Sequence, residues 1–231
     1  MELFHVLNRG VEKKNIFLDT QDYARFVHNL YEFNDTKPAQ NSGRLSMAPS
    51  PMSDIGSHSL RNRLVDVHGW CLMKNHYHLL LSPRKEAGIQ GFMRKINIGY
   101  AKYFNEKYAR SGYVFQEKTK KVLIEKDAQF NYILHYIHLN PLDYLPGASE
   151  WRLRSKEHGI KNVGDALSYL DTYRWSSYLD YGGARNFPSL LTTGLFSRAF
   201  GSYKNALREY MVDTKGTVRN ETLEFLPLVL E

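Results

Sequence analysis

Apolar and polar positions alternate along this chain with two different periods. Residues 3–7 read as a short strand, ended by Asn8-Arg9-Gly10. Asp19 or Thr20 can cap a helix running to about Phe33. Its stripe of Tyr23, Phe26, Val27 and Leu30 follows helical spacing. Residues 64–73 are apolar enough for a buried strand, and Lys74-Asn75 makes a tight connection. Residues 76–82 alternate: Tyr77, Leu79 and Leu81 face one way, and His76, His78 and Leu80 face the other. Pro83 ends that strand. A long helix over 86–109 carries Phe92, Ile96, Tyr100, Tyr103 and Phe104, and Gly112 stops it. Residues 113–124 read as a strand that turns basic midway. Asp127 then caps a helix to about Leu139, stopped by Pro141.

The resulting order is βαββαβ followed by one more helix. It predicts an α+β fold: a ferredoxin-like antiparallel sheet with helices on its faces and an extra helix. That domain spans 1–141, and 142–231 reads as a helical C-terminal extension with a possible role in contacting DNA. Inside the domain, residues 35–63 break every period with Pro38, Asn41, Ser42, Gly43, Pro49, Ser50, Pro51, Ser53 and Gly56, as expected of a flexible insert.

Composition narrows the class. With 231 residues, 42% of them hydrophobic, the chain can build an ordinary core. The single cysteine, Cys71, excludes an intramolecular disulfide and a Cys-rich zinc site. Lying in WCLM, it reads as a small buried hydrophobe. No apolar run approaches a membrane span, and MELFHVLNRG lacks the form of a signal peptide, so a cytoplasmic location is expected. A net charge of +7 turns attention to nucleic acid or anionic lipid.

Chemistry enters with His76 and His78. At i and i+2 of a strand, their imidazoles share a face and can grip one divalent metal ion. Ordinary hydrogen-bonded strand histidines would show the same spacing, and a metal needs a further ligand. On the helix over 127–139, Phe130, Ile133, Leu134 and Ile137 form a core stripe, while Tyr132, Tyr136 and Asn140 form a second line. Tyr136 and Asn140 can thus look at one point. An amide oxygen suits Mg²⁺ or Mn²⁺, and a tyrosine hydroxyl can be a covalent nucleophile. Tyrosines packed on an amphipathic helix would also fit. His135 and His138 flank Tyr136 and read as solvated helix surface, with contact to DNA phosphate as the alternative.

WCLMKNHYHLLLSP resembles the HUH motif (histidine, bulky hydrophobic, histidine) of single-tyrosine transposases. HYIHLNPL resembles the helix that carries their nucleophilic tyrosine, in the form seen in REP-associated tyrosine transposases. FHVLNRG near the start and YRWSSYLDYGG at 173–183 are similar to that group as well. The resemblance implies a ferredoxin-like nuclease with His76, His78 and Asn140 as ligands of Mg²⁺ or Mn²⁺ and Tyr136 as nucleophile. It implies action on single-stranded DNA near a hairpin, through a 5′-phosphotyrosine link. Only Tyr136 falls at the matching position; a two-tyrosine reading would add Tyr132.

Beside such a site, Arg9, Lys13, Lys14, Lys118, Lys120 and Lys121 are expected to contact phosphate, and Gln116 and Tyr113 to contact bases. Arg152, Arg154 and Lys156 lie beyond the helix. A monomer is expected, with a helix-exchanged dimer as the alternative. The rival functions are a non-catalytic DNA-hairpin-binding protein on the same fold and an RNA-binding ferredoxin-like module.

Overall fold

A computed structural model of the chain describes residues 1–38, 61–116, 118–146 and 162–212. Most of the expected insert, and Arg152, Arg154 and Lys156, lie outside these residues. The elements in chain order are β1 (Phe4–Arg9), α1 (Thr20–Glu32), β2 (Val65–Met73), β3 (His76–Pro83), α2 (Gly88–Lys107), β4 (Lys120–Leu123) and α3 (Asp127–Leu139). A 3₁₀ turn, Asn140–Tyr144, continues α3. Then come α4 (Val163–Thr172), α5 (Tyr178–Tyr181), α6 (Gly194–Phe200) and α7 (Tyr203–Val212).

The sheet has four strands in the order β2-β3-β1-β4, and every neighbouring pair is antiparallel. This is the split βαβ arrangement expected from the sequence. β2 and β3 are joined through Lys74-Asn75, with Met73 opposite His76. The basic strand is shorter than its pattern suggested. Residues 113–116, 118 and 119 lie outside it, and Phe115 makes only an isolated bridge to Gly10. The partner strand β1 ends at Arg9. After it the chain turns to the β2–β3 hairpin, where Lys74 O accepts from the Ile16 and Phe17 amides at 2.8 and 3.0 Å.

The two sheet faces bury different layers. Phe4, Val6, Trp70, Leu72, Tyr77, Leu79 and Leu81 pack with α1 and α2. On the opposite face, Leu3, Cys71, Met73 and Leu80 pack with α3 and the C-terminal helices. Gly69 marks how closely α3 lies on the sheet: a Cβ there would come 2.7 Å from Leu134 Cδ1. Asp19 caps α1 in a capping box with Asp22, and Lys107 near the end of α2 ion-pairs with both.

The C-terminal segment seals the outer edge of β2. Leu72 N donates to Trp175 O, Ser177 N donates to Trp70 O, and Trp70 N donates to Ser177 Oγ, each at 2.9 Å. An exposed sheet edge is an invitation to aggregate, and these bonds remove it. Consequently α3 is covered on both sides, and every residue from Tyr132 to Leu139 is buried. His135 and His138, expected on a solvated surface, are instead enclosed. Their polarity concealed a helix that is interior all round from Tyr132 onward.

The insert leaves and re-enters the fold at one point. Buried Asn34 accepts from the Leu64 and Val65 amides and donates to Val65 O, all at 3.0 Å, and Thr36 N donates to Asn62 O at 3.0 Å. Two outcomes are expected. Asn34→Ala should lower stability in urea titration by about 3 kcal/mol, roughly 1 per lost bond. Replacing residues 39–60 with a six-residue Gly/Ser linker should leave the melting temperature unchanged or slightly raised, because shortening a loop several-fold saves only about 1 kcal/mol of closure entropy.

Candidate active site

The alternation of β3 puts His76 and His78 on the face toward α3. Their rings lie 4.9 Å apart, centroid to centroid. Tyr136, on α3, meets His78 edge-on at 5.6 Å. His78 and the helical tyrosine, some sixty residues apart in sequence, are therefore in contact, with His76 beside His78. Asn140 lies one turn beyond Tyr136, buried, with its amide nitrogen donating to Tyr136 O at 2.8 Å. The amide oxygen is thus the atom it can offer to a cation. Tyr132 packs on Tyr136 at 5.6 Å and on Tyr210 at 5.9 Å, a packing role on the same helix face.

A third histidine joins them. His5, on β1, stacks on His78 at 5.1 Å with an interplanar angle of 11°, and meets Tyr136 edge-on at 5.9 Å. Its Nε2 lies 3.0 Å from His78 Nδ1. Burial pushes its pKa down to about 3, so the ring is neutral. The signal was present in FHVLNRG: the βαββαβ order sets β1 beside β3, and alternation turns His5 toward the face of His78.

Hydrogen bonding specifies the protonation of His76. Asn75 Nδ2 donates to Lys13 O at 3.1 Å, which fixes the orientation of the amide. Asn75 Oδ1 then lies 2.6 Å from His76 Nδ1. An amide oxygen only accepts, so Nδ1 of His76 carries a proton, and in the neutral ring the lone pair is on Nε2. Metal-binding histidines take this form, the second nitrogen donating to an outer acceptor. Two imidazoles and an amide oxygen thus suit a divalent ion by donor chemistry. Among the described residues no group of three or more His, Cys, Asp or Glu is arranged to hold a metal.

Basic residues divide by register. Arg9 is opposite His76 and Lys120 opposite Leu7, both on the histidine face. Lys121 is opposite Val6 on the other face, with Nζ 4.4 Å over the Phe4 ring. Lys14 pairs with Glu12, and Lys13 holds Asn75 through its carbonyl. Lys118 and Gln116 are exposed, and Gln116 N donates to Arg9 O at 2.7 Å. Tyr113, 86% exposed, stands beside them.

With this geometry in place, comparison with known proteins is informative. Residues 51–140 match the model of the family described as "Transposase IS200 like". The match covers 90 of the 231 residues. The matched segment contains His76, His78, Tyr136 and Asn140, in agreement with the resemblance to single-tyrosine transposases read from the motifs. No curated protein matches the chain. Among solved structures, one of a REP-associated tyrosine transposase bound to a REP hairpin is similar at a TM-score of 0.46. It is 11% identical, over 83% of this chain and 84% of that one. Among the described residues no helix is long and apolar enough to cross a membrane.

Behind Tyr136, α3 is held by a buried polar relay. Tyr203 OH lies 2.7 Å from His138 Nδ1 and 3.3 Å from His135 Nδ1, and His138 Nε2 lies 2.7 Å from Ser177 Oγ. Burial pushes His135 down to about 3 and His138 well below its ordinary value. Both stay neutral in the fold, whereas in the unfolded chain they protonate near 6.5. The folded pKa is depressed, so stability is complete above pH 6.5 and falls as the unfolded state takes up protons. The loss approaches about 1.4 kcal/mol per pH unit for each histidine. Urea midpoints between pH 7.5 and 5 should fall accordingly, and His135→Gln should flatten the slope.

Proposed function

We infer that this chain is a metal-dependent endonuclease and strand transferase for single-stranded DNA, acting beside hairpins through a 5′-phosphotyrosine link. The observation that carries the reading is the contact of Tyr136 with His78, whose ring lies beside that of His76. Nothing in a plain binding module requires a phenol against two imidazoles at the face that also presents Arg9 and Lys120. The hairpin preference and the polarity of the link rest on the motif resemblance.

A divalent ion held by His76, His78 and Asn140 would polarise the scissile phosphate and offset charge on the leaving oxygen. The chain's own residues do the rest. Tyr136 loses its phenolic proton and its oxygen attacks phosphorus. The bond from phosphorus to the 3′ oxygen breaks, and that oxygen takes up a proton to become a 3′-hydroxyl. A second 3′-hydroxyl can reverse the sequence and join strands, since the phosphotyrosine link conserves the phosphodiester bond energy. Arg9 and Lys120 hold the flanking backbone. His76 is the most exposed of the three reacting side chains; His78 and Tyr136 are buried, at 2% and 1% exposure. A phosphate therefore approaches from the His76 side and displaces whatever covers the tyrosine.

Incubation with hairpin-bearing single-stranded DNA and Mn²⁺, followed by denaturing electrophoresis, should reveal a covalent protein–DNA adduct. Tyr136→Phe should abolish it and Tyr132→Phe should retain it; an adduct in Tyr136→Phe would sink the reading. Binding measured against salt concentration should separate the lysines. Arg9→Ala and Lys120→Ala should each reduce the salt slope by about 1, while Lys121→Ala, on the opposite face, should change it less.

A further inference from the structure

His5 lies outside the segment that matches the transposase family, yet its ring is part of the site. The register sets His5 opposite Leu80 and Leu7 opposite His78, so His5 and His78 are diagonal neighbours on one sheet face. Diagonal pairs are within reach of long and aromatic side chains. Here the rings stack nearly parallel, with Nε2 of His5 and Nδ1 of His78 3.0 Å apart.

One proton sits in that hydrogen bond, and it has two possible owners. If His5 donates, His78 carries its own proton on Nε2 and cannot ligate through that atom. If His78 donates, its Nε2 holds the lone pair, and His5 carries its own proton on Nδ1. His76 already has the second arrangement, imposed by Asn75.

We propose that His5 is a positioning residue: its Nε2 accepts the Nδ1 proton of His78 and so fixes His78 in the tautomer that ligates a divalent cation through Nε2. The proposal rests on the metal reading of the preceding subsection. His5 does not touch the reacting phosphate; it sets the ring that does the holding. Its chemistry also suits the substrate. A carboxylate in its place would accept the same proton but add a negative charge beside the incoming phosphate. His5 and Asn75 are both uncharged acceptors, so both ligating imidazoles are oriented without repelling DNA. The cost is visible at the far side of the ring, where His5 Nδ1 is buried with no hydrogen-bond partner. That unsatisfied atom is the kind of buried polar defect that structures keep for a reason.

The test uses the full chain carrying Tyr136→Phe, so that no cleavage intervenes, with a single-stranded oligonucleotide present. Free Mn²⁺ is followed by electron paramagnetic resonance. His5→Leu, which fills much of the space but cannot accept a hydrogen bond, should weaken Mn²⁺ binding by about 10- to 100-fold. His5→Gln, whose Oε1 can accept, should recover most of that loss. Equal binding by the Leu and Gln variants would overturn the role assigned to His5. Undiminished binding by His78→Ala would overturn the metal reading itself, which separates the two failures. A second measurement needs no change at position 5. In long-range ¹H–¹⁵N spectra with Mg²⁺ and the oligonucleotide, His78 should show the pattern of an Nδ1-protonated ring, and an Nε2-protonated pattern refutes the proposal.

Discussion

Enclosure of α3 is the constraint on which the site depends. One side of this helix lies on the sheet, close enough at Gly69 to exclude a Cβ, and its other side is covered by the C-terminal helices. A helix in that position has no freedom to rotate or slide without opening packed surface. Interiors are close-packed, so a shift of even a methylene's width is costly. Tyr136 inherits that rigidity. Its ring is held against His5 and His78 from the sheet side, while His135 and His138 anchor the same helix turn from behind. For the nucleophile proposed at Tyr136, precise placement lowers the entropy cost of reaction, and that placement comes from a layer to which no reacting atom is assigned.

The polar groups inside that layer form a connected set. Trp70 N donates to Ser177 Oγ, which also contacts His138, and His138 contacts Tyr203. Buried polar networks are worth keeping only when nearly complete, because each unsatisfied member costs about 1–3 kcal/mol. The relay therefore ties strand β2, helix α3 and helix α7 into one cooperative unit. The WSS stretch, distinctive in sequence, makes sense as the piece that closes the edge of β2 and reaches α3 in one turn of chain.

Much of this was legible in the sequence, and the failures have physical causes. Alternation over 76–82 sorted Tyr77, Leu79 and Leu81 from His76 and His78, and the two faces bury separate layers as that pattern requires. Helical spacing placed Tyr136 and Asn140 one turn apart. The enclosure of His135 and His138 was not legible, because their partners, Ser177 and Tyr203, lie 39 and 65 residues from His138. Local polarity says "surface" until a remote segment supplies the bonds. The strand over 113–124 was overextended for a related reason. Its residues have strand propensity, but pairing needs a neighbour, and β1 ends at Arg9. His5 was overlooked because one strand was considered without its neighbour. Only the topology shows which ring it will meet.

That topology also explains why a family segment of 51–140 does not contain a whole site. β1 is the inner strand that separates β3 from β4, and in the sheet order β4 has no other neighbour. Without the first strand, β3 would expose a long edge and β4 would be unpaired, a state with unsatisfied backbone groups on both. The N-terminal strand must therefore insert between two strands made much later in the chain, a pairing of high contact order. The same insertion delivers His5 to His78 and Arg9 to the level of His76. Sheet completion and completion of the candidate site are one event, so the chemistry proposed for the segment matching the transposase model depends on the N-terminal strand being in register. A slip of one residue would turn His5 to the opposite face and bring Phe4 or Val6 against α3 in its place.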